Sequence, residues 1–130
     1  MRPERTSGIY HLVLRLQADT AIRVGQLGEF SFPAGYYVYT GSAMNGLEAR
    51  LARHRKRRKR LRWHIDFLLR RAELVTVIAI ATTDRMECER NRAVLAQPEA
   101  QVVVRGFGSS DCRCPAHLIY FGPRPPVIPW

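Results

Sequence analysis

Lysine, acidic residues and cysteine are all scarce in this chain of 130 residues, and long apolar runs are absent. No apolar stretch approaches the roughly 20 residues of a transmembrane helix. The first residues do not contain the apolar segment of a secretion signal. We therefore expect a cytoplasmic protein without a membrane partner. The three cysteines, Cys88, Cys112 and Cys114, are an odd number, which argues against a disulfide framework.

The scarcity of lysine and acidic residues leaves a basic chain that is rich in arginine. Lysine accounts for two of the 21 basic residues, acidic residues number 11, and the formal net charge is +10. Arginine binds phosphate in a bidentate manner, although a GC-rich coding bias would also enrich it. A basic excess concentrated in one run is typical of proteins with a polyanion partner, so we expect nucleic acid.

The basic residues concentrate in one segment behind a tyrosine-rich stretch. Nine of the thirteen residues from Arg50 to Arg62 are Arg or Lys. Such a run would contact phosphates independently of base sequence, and the alternative is a solvated basic segment. The residues that we expect to bind nucleic acid in this way are Arg53, Arg55, Lys56, Arg57, Arg58, Lys59, Arg60 and Arg62.

Hydrophobic periodicity predicts an α+β domain, with a small and mostly antiparallel sheet flanked by helices. Residues 1–121 would form this single domain, and residues 122–130 a proline-rich tail. The predicted strands cover residues 8–16, 21–24, 36–40, 74–81, 101–104 and 117–121. The predicted helices cover residues 47–55, 63–72 and 84–96.

Several details of this fold follow from local signals. The first forty residues read as a β-meander, with a turn after it at residues 41–43. The continuous apolar run over residues 74–81 predicts a central, buried strand. Asn45 is the expected cap of the first helix, and Thr83 or Asp84 that of the third. Glu87 would then lie early in the third helix.

Two short motifs resemble the halves of the GIY-YIG nuclease signature. They are Gly8-Ile9-Tyr10 in the first strand and Tyr39-Thr40-Gly41 at the end of a later one. Arg50 and His54 resemble the arginine and histidine of that superfamily's next helix. A group of short prokaryotic GIY-YIG-like proteins of unassigned function, some fused to endonuclease III-type repair enzymes, is similar at PAGYYVYTGSA, WHIDFLL, Glu87-Cys88 and GFGSSDCRCPAHLIYF.

The resemblance covers residues 8–121, and it departs from the nuclease pattern in two places. Thr40 stands where the signature has isoleucine. The gap between Tyr10 and Tyr39 is longer than in well-studied members, and an inserted hairpin over about residues 21–32 would explain it. The fold could therefore be kept while the substrate groove is altered.

The resemblance implies a metal-dependent endonuclease that hydrolyses DNA phosphodiester bonds, in repair or in processing of single-stranded or branched DNA. Its catalytic residues would be Tyr10, Tyr39, Arg50, His54 and Glu87. Tyr10 would be the general base, Tyr39 would position or donate, and Arg50 would stabilise charge on the phosphate. His54 would orient a tyrosine or contact phosphate.

Glu87 is the expected metal ligand, for Mg²⁺ or Mn²⁺, because Mg²⁺ takes few protein carboxylates and keeps several waters. Glu89 is its competitor, on a different face of the helix. A free tyrosine has a pKa of about 10, so Arg50 and the metal would need to lower the pKa of Tyr10.

Other functions remain open on the sequence alone. The fold could serve as a non-catalytic nucleic-acid-binding module, and RNA could replace the favoured DNA as partner. The block with Asp111, Cys112, Cys114 and His117 has three readings. With Cys88 it could hold a structural Zn²⁺, it could contain buried thiols beside a capping Asp111, or Asp111 and His117 could line the nuclease groove. The oligomeric state is not encoded in any pattern that we recognise.

Overall fold

A computed structural model describes residues 6–56 and 58–129. The fold is α+β, with antiparallel sheets and flanking helices, as the sequence predicted. Among these residues, no helix is long and apolar enough to cross a membrane. The strands are β1 (Gly8–Leu16), β2 (Thr20–Val24), β3 (Gly28–Phe32), β4 (Gly35–Ala43), β5 (Glu73–Ala81) and β6 (Leu118–Gly122); the helices are α1 (Leu47–Arg55), α2 (His64–Leu69) and α3 (Glu87–Leu95).

The central sheet has four antiparallel strands in the order β5-β1-β4-β6. β1 and β4 pair from Gly8 opposite Ala43 to Leu16 opposite Gly35. Between β1 and β4 in the chain, β2 and β3 form a separate two-stranded sheet, which confirms the predicted hairpin. Its origin as an insertion into the nuclease pattern stays a prediction. The predicted meander is wrong, because β1 pairs with β4 and not with β2. The hairpin instead buries its own apolar side chains, Ile22 and Phe32, in the main core.

The expected turn at residues 41–43 is also wrong, because β4 continues as a strand to Ala43. Gly41 lies opposite Tyr10 in the β1–β4 ladder. A Cβ atom on Gly41 would lie 2.5 Å from the hydroxyl oxygen of Tyr10. Glycine at this position therefore makes room for the Tyr10 ring inside the sheet, and it does not mark a chain reversal.

β5 is a strand, as predicted, but its expected central position is wrong. It lies at the edge of the sheet and pairs with β1 alone. Val75 and Ile80 are 46% and 44% exposed. A continuous apolar run indicates a strand, but it does not tell which strands lie on either side.

The ends of the helices differ from the sequence prediction in several places. The bounds of α1 agree, but Gly46 and not Asn45 precedes the helix, and no side chain caps it. Met86 precedes α3, so the expected caps Thr83 and Asp84 are wrong, and Glu87 is the first helical residue. α2 is shorter than residues 63–72. The predicted strand at 101–104 is reduced to one isolated bridge between Gln101 and Tyr120.

The core contains a buried histidine on β1. His11 is fully buried, and its Nδ1 lies 2.8 Å from Oγ1 of Thr40. Burial, and secondarily the charge of Arg90, lowers the pKa of His11 from 6.5 to about 4. Below pH 6.5 the unfolded chain therefore binds more protons than the folded one, and the stability that this group contributes is lost as the pH falls.

We expect His11→Gln to reduce the acid sensitivity of the fold. The wild-type chain should lose roughly 2–3 kcal/mol through His11 between pH 7.5 and pH 4.5, and the variant should lose that much less. Urea unfolding of both proteins at the two pH values measures the difference. Equal pH dependence of the two proteins would show that His11 does not titrate in this way.

Candidate functional site

A cleft of about 330 Å³ opens beside α1, near the start of β1 and the end of β4. Four of the five predicted catalytic residues line it: Tyr10, Tyr39, Arg50 and Glu87. They come from β1, β4, α1 and α3, so the fold brings together residues that are far apart in the chain. The remaining lining residues are Gly41, Ser42, Arg62, Trp63, His64, Gly108, Ser110 and Asp111.

The fifth predicted residue, His54, does not line the cleft but supports it from within the core. His54 is 3% exposed, and its Nε2 lies 2.8 Å from the hydroxyl oxygen of Tyr10. Its Nδ1 is buried and has no hydrogen-bond partner among the described residues. An unprotonated Nδ1 without a partner costs less free energy than a buried, unpaired N–H, which favours the tautomer with the proton on Nε2. His54 then donates to the oxygen of Tyr10.

The two tyrosines of the cleft are protonated at neutral pH. Burial raises the pKa of Tyr10 to about 12, although Arg50 acts to lower it. Burial likewise raises the pKa of Tyr39 well above 10. Arg50 by itself does not bring the pKa of Tyr10 below its ordinary value, and the joint effect expected of Arg50 and a metal stays a prediction. Arg50 acts in the expected direction, but desolvation outweighs it.

Arg50 is held in a fixed position at the wall of the cleft. Its Nη1 donates to the carbonyl oxygen of Ser42 at 2.8 Å. Its guanidinium also stacks on the ring of Trp63, with 4.4 Å between the guanidinium carbon and the ring centroid. Arginine has five N–H donors, so donors remain for an anion in the cleft. Contacts of this kind reduce the entropy lost when a phosphate binds.

Glu87 is an oriented carboxylate. Ser42 Oγ donates to Oε1 of Glu87 at 2.6 Å, and Nδ1 of His117 lies 3.1 Å from Oε2. Burial acts to raise the pKa of Glu87, but the hydrogen bonds from His117 and Ser42 and the charges of His117 and Arg50 outweigh it, so the pKa is lowered. The carboxylate is therefore ionised at neutral pH.

The structure separates Glu87 from its competitor. Glu87 lines the cleft, whereas the side chain of Glu89 is 61% exposed and lies 4.0 Å from Arg90. The residues at the cleft suit a hard divalent cation, because Glu87 is ionised and 32% exposed, and Asp111 lines the same space. Glu87, with Asp111 nearby, would hold Mg²⁺ or Mn²⁺.

The basic segment has two kinds of side chain. Arg62 lines the cleft, and four others are exposed: Arg55, Lys56, Arg58 and Arg60. Arg53 and Lys59 instead lie 2.9 Å and 3.9 Å from the fully buried carboxylate of Asp66. These two residues hold the segment against α2, and their predicted contacts with phosphate stay a prediction. Arg57 lies outside the described residues.

Asp66 organises this segment from the start of α2. Its Oδ2 accepts the backbone N–H groups of Arg62 and Trp63, each at 2.9 Å, and both of its oxygens accept from Arg53. Burial acts to raise the pKa of Asp66, but these hydrogen bonds outweigh it and lower the pKa. Asp66 therefore fixes Trp63, on which Arg50 stacks.

One side chain of α3 and three from the loop before β6 form a compact cluster beside the cleft, which we call the Cys/His cluster. One ligand atom from each of Cys88, Cys112, Cys114 and His117 lies within 4.8 Å of all the others. The three cysteines are half-buried and free, and His117 is fully buried. Asp111 is exposed and lines the cleft itself, while His117 reaches it only through Glu87. The block thus contributes both to the cluster and to the groove.

Sequence reasoning missed Ser42 and understated Trp63 and Asp66. Ser42 contacts both Glu87 and Arg50, and Trp63 carries Arg50 on its ring. From the sequence alone, Trp63 is interpreted as a core residue, and Asp66 could touch the groove but is expected to have a structural role. The position of Asp66, two residues into a helix that starts at His64, is a capping position that could have been recognised. No sequence signal identifies Ser42, because its partners come from α1 and α3.

Comparison with known proteins gives one family and no described relative. The chain matches the model of a family described as a domain of unknown function, DUF123, over residues 9–128. No curated protein and no solved structure matches it. The matched range includes the cleft and the Cys/His cluster.

Proposed function

The chain belongs to the DUF123 family of domains of unknown function, and from its own site we propose that it is a metal-dependent endonuclease that hydrolyses DNA phosphodiester bonds. The observation that carries this proposal is the shared cleft. In it an immobilised guanidinium, an ionised carboxylate and two tyrosine hydroxyls line one space of about 330 Å³. The resemblance to GIY-YIG nucleases supports the same residues for the same chemistry.

Arg50 is the group that would bind the scissile phosphate. Hydrolysis concentrates negative charge on the phosphate oxygens, and a cation that is already oriented stabilises this charge without reorganising. The bonds to Ser42 and Trp63 supply that orientation. Arg62 on the same wall would contact a neighbouring phosphate of the strand.

Tyr10 is the group that would accept the proton of the attacking water, as a tyrosinate whose own proton has first passed to solvent. The Nε2–H of His54 points at its hydroxyl oxygen and would stabilise a tyrosinate, as would the charge of Arg50. Tyr39 keeps its proton in the buried wall and can donate to a phosphate oxygen. A divalent cation held by Glu87 would supply further positive charge to the phosphate and its leaving oxygen.

One observation favours the second candidate, a non-catalytic nucleic-acid-binding module. Burial raises the pKa of Tyr10 to about 12, so the protein alone does not prepare a base. A module of this kind would use Arg50, Arg62 and the exposed basic side chains for binding, and it would not depend on Glu87. The two candidates therefore differ in what each variant changes.

The proposal is tested with labelled single-stranded, duplex and branched DNA in the presence of Mg²⁺, Mn²⁺ or EDTA. We expect metal-dependent cutting by the wild-type protein and a loss of about 100-fold or more in Arg50→Ala. Arg70→Ala is the matched control, because Arg70 is exposed after α2 and does not line the cleft. Its cutting rate should equal that of the wild type.

The binding module predicts a different pattern in the same assay. No substrate would be cut, all would bind with a steep dependence on salt, and Arg50→Ala would weaken binding. Glu87→Ala would leave binding unchanged or improve it by removing a negative charge. In that case the same series with RNA would follow, because the exposed arginines do not distinguish the two backbones.

A further inference from the structure

We propose that Cys88, Cys112, Cys114 and His117 bind one Zn²⁺, and that this ion fixes the loop that carries Asp111 and orients Glu87. The first part does not depend on the proposed function. The second part rests on it, because it concerns the carboxylate of the cleft. The inference starts from the juxtaposition of three thiols and one imidazole from two distant segments, the start of α3 and the loop before β6.

The distances in the cluster match a single tetrahedral ion. Nε2 of His117 lies 3.6 Å from Sγ of Cys88 and 3.3 Å from Sγ of Cys112. Zinc bonds of about 2.3 Å to sulfur and about 2.0 Å to nitrogen at tetrahedral angles separate the two ligand atoms by roughly 3.5 Å. These two separations agree with a shared ion, and all four ligand atoms lie within 4.8 Å of one another.

The chemistry of the four ligands favours zinc over hard cations and over a two-iron cluster. Three thiolates and one imidazole form a Cys₃His set, which is a usual structural zinc site. Hard cations such as Mg²⁺ prefer oxygen ligands. A two-iron cluster would divide the ligands into two separated pairs, whereas here all four atoms lie within 4.8 Å of one another.

The tautomer of His117 is fixed by its other nitrogen. Nδ1 lies 3.1 Å from Oε2 of Glu87 and 3.0 Å from the carbonyl oxygen of Thr40. Both partners are acceptors, so Nδ1 carries a proton, and Nε2 faces the thiols, where it would bind the metal in place of a proton. A zinc-bound histidine that donates its second N–H to a carboxylate is a common arrangement, and it orients both groups.

The backbone around the cluster is already held by hydrogen bonds. The N–H of His117 donates to the carbonyl oxygen of Phe107 at 2.8 Å, and Asn91 donates to that of Ala116 at 2.7 Å. Because three ligands come from the loop before β6 and one from α3, the ion would close the loop onto the helix that begins with Glu87. The cysteines are half-buried, which leaves a path for the ion.

The experiment measures metal content of the full chain, purified under reducing conditions without chelators, by mass spectrometry of the metal. We expect about one zinc per chain, and a fall of about fivefold or more in Cys88→Ser and in Cys114→Ser. Arg113→Ala is the matched control, because Arg113 is exposed between the two cysteines of the loop, and it should keep its zinc. His117→Gln should lose zinc in the same way, and His11→Gln is its control, which should keep its zinc.

Variants that fail to fold do not decide the question, because the wild-type protein is titrated separately. Stripped, reduced wild-type protein should take up about one Zn²⁺ in competition with a coloured chelator. With Co²⁺ in its place, thiolate-to-metal absorption should appear. Absence of a stoichiometric site in this titration, or stoichiometric iron in the purified protein, overturns the zinc site.

The link to Glu87 has its own readout. If the proposed function holds, zinc-free protein should cut DNA about 10-fold to 100-fold more slowly at saturating Mg²⁺, and recover when zinc is returned. Unchanged cutting by the zinc-free protein overturns the link. Glu87→Gln should retain its zinc whether or not DNA is cut, so failure of the zinc site and failure of the nuclease proposal give different results.

Discussion

Glu87→Gln is expected to bind DNA at least as tightly as the wild-type protein and to cut it about 10³-fold more slowly. Glutamine keeps the size of the side chain and can still accept from Ser42, but it removes the negative charge that would hold a divalent cation. The loss should appear in kcat, because the metal contributes mainly when charge develops on the phosphate. Single-turnover cleavage and equilibrium binding of the same labelled DNA measure the two quantities.

Glu89→Gln is the control for this experiment. Glu89 is two residues further along α3, and its side chain points to solvent. The Glu89→Gln protein should therefore cut DNA at the wild-type rate. If Glu89→Gln lost cleavage and Glu87→Gln kept it, the assignment of the carboxylate would be wrong. Cleavage at the wild-type rate by both variants would contradict a role for either residue in binding metal.

Asp66→Ala is expected to destabilise the fold by about 3–5 kcal/mol, which is the usual cost of removing one partner from a buried ion pair. The change leaves Arg53 and the 6%-exposed side chain of Lys59 without their carboxylate. It also removes the acceptor of two backbone N–H groups at the start of α2. Urea unfolding at pH 7 measures the loss.

Asp84→Ala serves as the matched control for Asp66→Ala. Asp84 is exposed ahead of α3, and its replacement should change stability by less than about 0.5 kcal/mol. Asp66→Asn should fall between the two, since an amide still accepts hydrogen bonds but carries no charge. If Asp66→Ala unfolded at the same urea concentration as the wild type, Asp66 would not organise the basic segment.

The sequence predicted those parts of the fold that depend on local pattern. The periodicity of residues 47–55 gave α1 with its correct bounds, and the alternation in residues 8–16 gave β1. The position of β5 was wrong, because an apolar run does not determine which strands pair on either side. The turn predicted at Gly41 was wrong for a related reason, since a glycine is required there by the Tyr10 ring on the neighbouring strand.

The candidate site shows the same division. Tyr10, Tyr39, Arg50 and Glu87 were identified from motifs, and the cleft brings them together. The support for these residues was not predictable, because it depends on tertiary contacts. Ser42 contacts Glu87 across 45 residues and Arg50 across eight, and Asp66 accepts from Arg53, a member of a run that looks uniformly solvated.

The pairing of β1 with β4 also separates distance along the chain from distance in space. The ladder closes with Leu16 opposite Gly35, and the β2–β3 hairpin lies entirely outside it. An insertion or deletion at the tip of that hairpin would change the number of residues between Tyr10 and Tyr39 without changing their register. Evolution could therefore lengthen this loop while the two hydroxyls stayed in place. The number of residues between the two motifs consequently does not indicate whether the chemistry has been kept.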